Sequence, residues 1–140
     1  MRPAPSTRFR VVPTKRDPAI EQLGIELAEV SDQRVVATMT ATDETANSHG
    51  VCHGGVLFLL ADTTMDYITN SGDGTHFAAH AEIDYLRPVF AGDELTATAT
   101  VRERWGRSTL VDCVITKAGS DGAIAQFRGR TRGATDRKPT

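Results

Sequence analysis

The segment from Asn47 to Asp66 contains the residue types most able to do chemistry. A glycine pair, Gly54-Gly55, follows His53 and stands at the start of a mostly apolar run. If that run is a helix, its first-turn glycines leave backbone N–H groups open to a ligand, and the helix dipole favours an anion or a developing oxyanion there. Asp62 lies further along this apolar run, where a carboxylate would not help the helix to pack in the core. The pattern predicts an active site with donors at a helix tip and an acid or base on the helix flank.

The apolar run has helical spacing. Its main stripe consists of Leu57, Leu60, Ala61, Thr64 and Ile68. Phe58, Asp62 and Asp66 recur every four residues on another face. We therefore expect a buried central helix of about 15 residues. It should begin near His53 and end between Asn70 and Gly72, where turn residues start.

Composition limits the classes of protein to consider. A chain of 140 residues with 39% hydrophobic and 24% charged residues is typical of one globular domain. The net charge of −2 argues against non-specific nucleic-acid binding. The first residues lack the apolar core of a secretory signal, and no apolar run is long enough to span a membrane. Cys52 and Cys113 have neither metal-site nor CxxC spacing, so we expect a reduced, cytoplasmic protein.

Six segments have strand-like composition. They are a stretch containing Ile25, Leu27 and Val30, then Val35–Thr42, His76–Leu86, Glu94–Arg104, Ser108–Lys117 and Ala123–Thr131. Short links containing Gly and Asp predict antiparallel neighbours along the chain. Strict alternation in the third segment predicts that one face carries Phe77, Ala79, Ala81, Ile83 and Tyr85.

The layout predicts an α+β fold in which an antiparallel sheet wraps around a long central helix. Residues 1–18 are expected to form an N-terminal arm, residues 19–133 the domain and residues 134–140 a disordered tail. A short helix at Ala19–Leu23 should end at Gly24. An open sheet leaves edges that proteins often cover with a second copy, which favours a homo-oligomer.

Together, Asn47-x-x-Gly50-x-x-His53-Gly54-Gly55 and Leu60-Ala61-Asp62 resemble a motif of the hotdog-fold acyl-CoA thioesterases. The likeness is to the phenylacetic-acid-degradation type, which hydrolyses aryl- and hydroxyaryl-acetyl-CoA. It extends over roughly residues 20–133, including Asp84–Pro88 and Ala91–Asp93. The resemblance implies a hotdog fold and a dimer with one continuous sheet, commonly assembled into a tetramer. It also implies active sites at the subunit interface, acyl-CoA as substrate, and no metal or tightly bound cofactor.

The resemblance also implies roles for individual residues. Gly54 would donate its N–H to the thioester carbonyl, Asn47 would bind that carbonyl or the attacking water, and His53 would shape the turn. Asp62 would act as general base or as nucleophile. The remaining substrate contacts are assigned to Gly50, Gly55, Phe58, Thr63, Arg87 and Arg107. At least one of Arg87, Arg107 and Arg128 is expected to contact a coenzyme A phosphate.

Asp66 departs from this pattern. We expect it either to face solvent or to raise the pKa of Asp62 by like-charge repulsion. Other residues have structural interpretations. Cys52 is expected to pack rather than act as a nucleophile, and His76 and His80, about 13 Å apart on a strand, are not a chelating pair.

Two other functions fit parts of the pattern. One is a non-catalytic acyl-CoA-binding or regulatory module, which would need no carboxylate aimed at the carbonyl. The other is an acyl-thioester hydratase or dehydratase, which needs a His and a carboxylate within proton-transfer reach. The chain lacks the His-Phe-Pro-Gly pattern of the dehydratases.

Helix geometry adds a constraint that does not depend on the family resemblance. Gly54 and Asp62 are eight residues apart, which corresponds to about 12 Å along one helix. A single thioester carbonyl cannot reach both groups. A two-fold axis that runs two helices antiparallel would bring Gly54 of one subunit to Asp62 of the other, so we expect catalysis to require a dimer.

Overall fold

The structure is a computed structural model, and it describes residues 11–13, 15–71 and 74–134. The elements in chain order are α1 (Pro18–Leu23), β1 (Glu26–Val30), β2 (Arg34–Thr40), a 3₁₀ turn (Asp43–Thr45), α2 (Gly54–Thr69), β3 (His76–Tyr85), β4 (Glu94–Trp105), β5 (Ser108–Lys117) and β6 (Ala125–Gly133). The predicted α+β order is confirmed. The last strand begins at Ala125 rather than at Ala123. Most of the predicted arm, and the tail beyond Ala134, lie outside the described residues.

The central helix α2 has 16 residues and begins where the glycine pair predicted. All five residues of the predicted apolar stripe are buried, and Thr63 and Met65 are buried with them. At the other end, the Asn70 side chain donates to the Asp66 carbonyl oxygen (3.0 Å) and accepts from the His76 backbone N–H (2.9 Å). Asn70 therefore ends the helix and holds the start of β3 beside it.

The sheet has the order β1-β2-β4-β5-β6-β3, and all its pairs are antiparallel. The expectation that β3 and β4 are neighbours is therefore wrong. Three strand spacings separate them, about 14 Å, and the link of residues 86–93 can span about 26 Å when extended. This link crosses the end of the sheet, where its residue Val89 is buried and accepts from the Cys52 N–H (2.7 Å).

The prediction that five alternating residues of β3 share one face is also wrong at the start of the strand. The pairing of β3 with β6 shifts register between Ala78 and His80, which is the mark of a β-bulge. Because one extra residue reverses the alternation, Phe77 lies opposite Arg132 on the outer face, whereas Ile83 lies opposite the buried Phe127. Phe77 is accordingly 61% exposed.

The core lies between α2 and the inner face of the sheet. Alternate side chains of the central strands are buried there, and on β4 they are the small residues Ala97 and Ala99 beside Leu95. Small side chains let a helix approach the sheet closely, and Gly129 on β6 lies next to Met65 of α2. Among the described residues, no helix has the length and apolarity needed to cross a bilayer.

We predict that Gly129→Ala destabilises the protein by about 1–3 kcal/mol through overpacking. A methyl group at this position would overlap Met65 Sδ and lie 2.9 Å from Phe127 Cε1, in a core where Met65 is fully buried. Denaturant unfolding would measure the loss. The matched control is Gly133→Ala on the same strand, whose added carbon would be 3.6 Å from His76 Nε2, an ordinary contact. Equal stability of the two variants would contradict this account of the packing.

Candidate active site

The loop before α2 fixes Asn47 and leaves its amide group available. Asn47 Oδ1 accepts from the backbone N–H groups of His49 (2.9 Å) and Val51 (3.3 Å). Gly50, with a φ of 80°, completes this tight turn, and its N–H donates to the Asn47 carbonyl (3.0 Å). The Asn47 NH₂ group has no acceptor among the described residues. Asn47 can therefore donate a hydrogen bond to a bound ligand.

His53 caps the start of α2. Its Nδ1 accepts from the Gly55 N–H (3.2 Å), and its own N–H donates to the Thr45 carbonyl (2.8 Å). Because Nδ1 is an acceptor here, it carries no proton in this geometry. The contact supports the interpretation of His53 as a residue that shapes the turn.

Gly54 presents the open donor at the helix tip. The N–H groups of Val56 and Leu57 both donate to the His53 carbonyl, and that of Gly55 donates to the His53 ring. Within the part of the chain that the structure describes, the Gly54 N–H has no acceptor. It lies at the positive end of a 16-residue helix, where an anionic oxygen is favoured.

A pocket of about 370 Å³ opens at this helix tip. It is lined by Asn47, Val51, Cys52, Gly54, Leu57, Tyr85, Leu86, Arg87, Pro88 and Val89. It therefore brings together Asn47, Gly54 and Arg87 from the predicted set. Asp62 is not among the lining residues, as expected if one helix cannot present both its tip and its flank to one ligand.

Asp62 and Asp66 lie on a flank of α2 that the chain itself leaves half-covered. Burial raises the pKa of Asp62 above its usual value. The pKa of Asp66 is raised to about 6, chiefly by burial and then by the charges of Asp62 and Asp17, against a hydrogen bond from Asn70. Neither expectation for Asp66 is met, because it is half-buried and the repulsion raises its own pKa. Burial is the cause of the shift at Asp62.

The other predicted contacts are more dispersed. Thr63 is only 6% exposed, and Phe58 packs edge-to-face on Phe127 with ring centroids 5.5 Å apart. Gly50 and Gly55 are exposed but do not line the pocket. Within one subunit, none of these four residues lines the pocket that contains Asn47 and Gly54.

The arginines occupy three different places. Arg87 lines the pocket and donates through Nη1 to the Ala123 carbonyl (2.5 Å). Arg107 lies on the β4–β5 turn, where Nη1 donates to the Gly133 carbonyl (3.4 Å). Arg128 forms a two-bond contact with Asp112 on the sheet (2.6 and 2.9 Å). Of the three, Arg87 is placed to contact a ligand in this pocket.

Sequence reasoning missed Tyr85 and Leu86, which form a wall of the pocket and are each about half exposed. The Tyr85 hydroxyl donates to the Gly54 carbonyl (2.9 Å). A signal was present, because Tyr85 lies in the Asp84–Pro88 segment that is part of the family resemblance. Its contact with Gly54 depends on the position of β3 at the sheet edge, which the sequence did not reveal.

Comparison with known proteins identifies the family of the chain. The chain belongs to the Thioesterase superfamily, whose family model matches residues 49–124. It is 40% identical over 117 residues to acyl-coenzyme A thioesterase PaaI of Escherichia coli K12, covering 84% of this chain and 83% of the relative. The predicted family is thereby confirmed.

Solved structures give the same result for the fold. The E. coli PaaI protein from the phenylacetic acid degradation operon matches with a TM-score of 0.80 and 39% identity, over 86% of each chain. A mutant of the phenylacetic acid degradation protein PaaI from Thermus thermophilus matches with a TM-score of 0.77 and 27% identity, over 83% of this chain and 98% of that one. The predicted hotdog fold is confirmed.

We predict that Asp66→Asn stabilises the protein at pH 8 and has little effect at pH 4. The pKa of Asp66 is raised from 3.8 to about 6 in the folded state, so the folded state binds more protons than the unfolded state between these values. Stability from this group is therefore lost as pH rises through that range. After allowance for solvent screening, the gain at pH 8 should be about 1–2 kcal/mol.

Urea unfolding at one fixed protein concentration would measure this gain at both pH values. Asp121→Asn, which changes an exposed carboxylate in the β5–β6 loop, is the control and should have little effect at either pH. A gain of the same size at pH 4 and pH 8 would rule out titration of Asp66 as the cause.

Proposed function

We propose that this protein is an acyl-CoA thioesterase that releases coenzyme A and a carboxylic acid from aryl- or hydroxyaryl-acetyl-CoA, or from medium-chain acyl-CoA. The observation that carries the proposal is the Gly54 N–H, which has no acceptor among the described residues, lies at the tip of α2 and lines a pocket with Asn47. The similarity to acyl-coenzyme A thioesterase PaaI supports the substrate class. The proposal requires no metal or cofactor.

In the proposed reaction, the thioester carbonyl oxygen lies near the Gly54 N–H, with the Asn47 NH₂ group as a second donor. Asp62 of the partner subunit takes a proton from water, and the water oxygen bonds to the carbonyl carbon. Negative charge that develops on the carbonyl oxygen is stabilised by the donors and by the helix dipole. The carbon–sulfur bond then breaks, and coenzyme A leaves as its thiolate and takes up a proton. The raised pKa of Asp62 favours its action as a base.

The geometry of α2 supports a homodimer as the active unit. Gly54 and Asp62 are about 12 Å apart along one helix, and the single-chain pocket contains Gly54 but not Asp62. The half-covered flank that carries Asp62 is available to a second α2 helix. Assembly of two such dimers into a tetramer remains a prediction.

The edge strand β3 supports the same assembly. It is mostly exposed, and within the described part of the chain it pairs on one side only, with β6. Its first half runs beside Arg130 and Arg132 of β6. Its second half carries Glu82, which lies opposite Arg128, and Asp84, which lies opposite the uncharged Gln126. Two β3 strands paired about a two-fold axis are antiparallel, so the acidic half of each would face the basic half of the other.

Arg87 is the proposed contact for a coenzyme A phosphate. It lines the pocket, and its bond to the Ala123 carbonyl leaves further N–H groups for an anion. Cys52 and Cys113 are both free and buried, which is consistent with the proposed cytoplasmic location. A non-catalytic acyl-CoA-binding module remains the second candidate, and turnover separates it from the enzyme.

We predict that Asp62→Asn lowers kcat for phenylacetyl-CoA by about 10²–10⁴-fold, the usual contribution of general-base catalysis. Thiol release from a panel of acyl-CoAs would measure turnover, and binding of free coenzyme A would verify that the site still forms. Asn preserves the size of the side chain and removes its charge. A wild-type protein that binds acyl-CoA without releasing thiol would establish the binding module instead.

We predict that Asp84→Lys weakens the dimer by about tenfold at low salt, because it places a cation where the partner subunit's basic half approaches. Activity per chain should fall at concentrations where the dimer dissociates. Sedimentation velocity at low and high salt would measure the assembly. Asp32→Lys, on the exposed β1–β2 turn at the opposite edge, should leave it unchanged. An active monomer would contradict the dimeric site.

A further inference from the structure

Tyr85 closes over the first residue of α2. Its hydroxyl donates to the Gly54 carbonyl oxygen at 2.9 Å. A Cβ built on Gly54 would lie 3.1–3.3 Å from the ring atoms Cζ and Cε1 and from the hydroxyl oxygen, so the ring touches the glycine where no side chain intervenes. Tyr85 is still 51% exposed and lines the pocket. One residue therefore contacts both the helix tip and the space open to a ligand.

The hydrogen bond from Tyr85 continues through the backbone to the helix cap. The Gly54 carbonyl and the Gly55 N–H belong to one peptide unit, and that N–H donates to His53 Nδ1. The backbone N–H of His53 donates to the Thr45 carbonyl at 2.8 Å. A phenol, a peptide unit and an imidazole thus form one chain of hydrogen bonds around the tip, and such chains strengthen their members.

The first turn of α2 requires this support. Two consecutive glycines have no side chains to pack and are the residues with the greatest backbone freedom. A donor for a developing oxyanion must be held in place before the reaction, because a displacement of about 1 Å can lower a rate by about 10²-fold. Apart from the His53 cap, Tyr85 supplies the restraint from outside the helix.

We propose that Tyr85 is a positioning residue that holds the Gly54 N–H in register with the thioester carbonyl. This inference rests on the proposed function, in which that N–H stabilises the oxyanion. Tyr85 does not itself act as an acid, because its hydroxyl hydrogen is directed to the Gly54 carbonyl. Its effect is on the transition state and therefore on kcat rather than on substrate binding.

Tyr85→Phe tests this role, because it removes the hydroxyl and keeps the ring that lines the pocket. We expect kcat for phenylacetyl-CoA to fall by about tenfold and KM to change by less than about twofold. Tyr67→Phe is the matched control. Tyr67 also donates one hydrogen bond, to Asp17 Oδ2 at 3.1 Å, but does not line the pocket, so its loss should leave kcat unchanged.

A double-mutant cycle tests whether Tyr85 acts through Gly54. Gly54→Ala keeps the backbone N–H, but its methyl group must push the Tyr85 ring aside. We expect it to lower kcat in the wild-type background and to cause little further loss in a Tyr85→Ala background.

Other outcomes would each overturn a distinct claim. An unchanged kcat in Tyr85→Phe, or a raised KM alone, would make Tyr85 only a wall of the pocket. Additive losses in the cycle would show that it acts independently of Gly54. A wild-type protein that releases no thiol would instead refute the proposed function, so the two failures can be told apart.

Discussion

The rigidity of α2 is the constraint on which the rest of the structure depends. One helix carries an open N–H at its tip and a carboxylate on its flank, and its hydrogen-bonded backbone keeps the two about 12 Å apart. No movement within one chain can bring them to the same carbon atom. The sheet covers one side of the helix and leaves the Asp62 flank half-open, and β3 presents an edge that no described strand pairs with. These features are what a helix needs if its two functional groups are to serve two symmetry-related sites.

The same flank of α2 carries two partly desolvated carboxylates, which lower the folding stability when they are charged. Asp62 and Asp66 are one turn apart, both are half-buried, and both have a raised pKa. The loss of folding stability falls mainly on Asp66, because the charges of Asp62 and Asp17 both repel its carboxylate. A carboxylate that is partly desolvated is a stronger base and a poorer contributor to stability. The carboxylate pair therefore fits a site in which some folding stability is given up for reactivity.

The sequence predicted those features of the structure that depend on residues close together in the chain, and it failed for those that depend on distant segments. The bounds and buried stripe of α2 followed from a 3.6-residue period, because apolar residues that recur once per turn mark the face that packs on the core. The β3 strand was misplaced for two reasons that no local pattern contains. A bulge after Ala78 reversed its faces, and the link before Asp93 was long enough to cross the sheet rather than turn back. Asn47 and Gly54 were found because they lie in one motif, whereas Tyr85 reaches Gly54 only through that crossing.

The glycine pair explains why two distant segments must meet at the helix tip. A Cβ on Gly54 would lie 3.1–3.3 Å from Tyr85, closer than an ordinary contact, and the absence of a side chain also leaves the tip without packing of its own. The restraint comes instead from the segments on either side. The loop before the helix supplies the His53 cap, and the end of β3 supplies Tyr85. The bond from the Cys52 N–H to the Val89 carbonyl joins these segments directly. The Gly54 N–H must be open to a ligand and also held in place, and these requirements oppose each other. The structure meets both, because Gly54 has no side chain and the peptide unit that follows it is hydrogen-bonded to Tyr85 and His53.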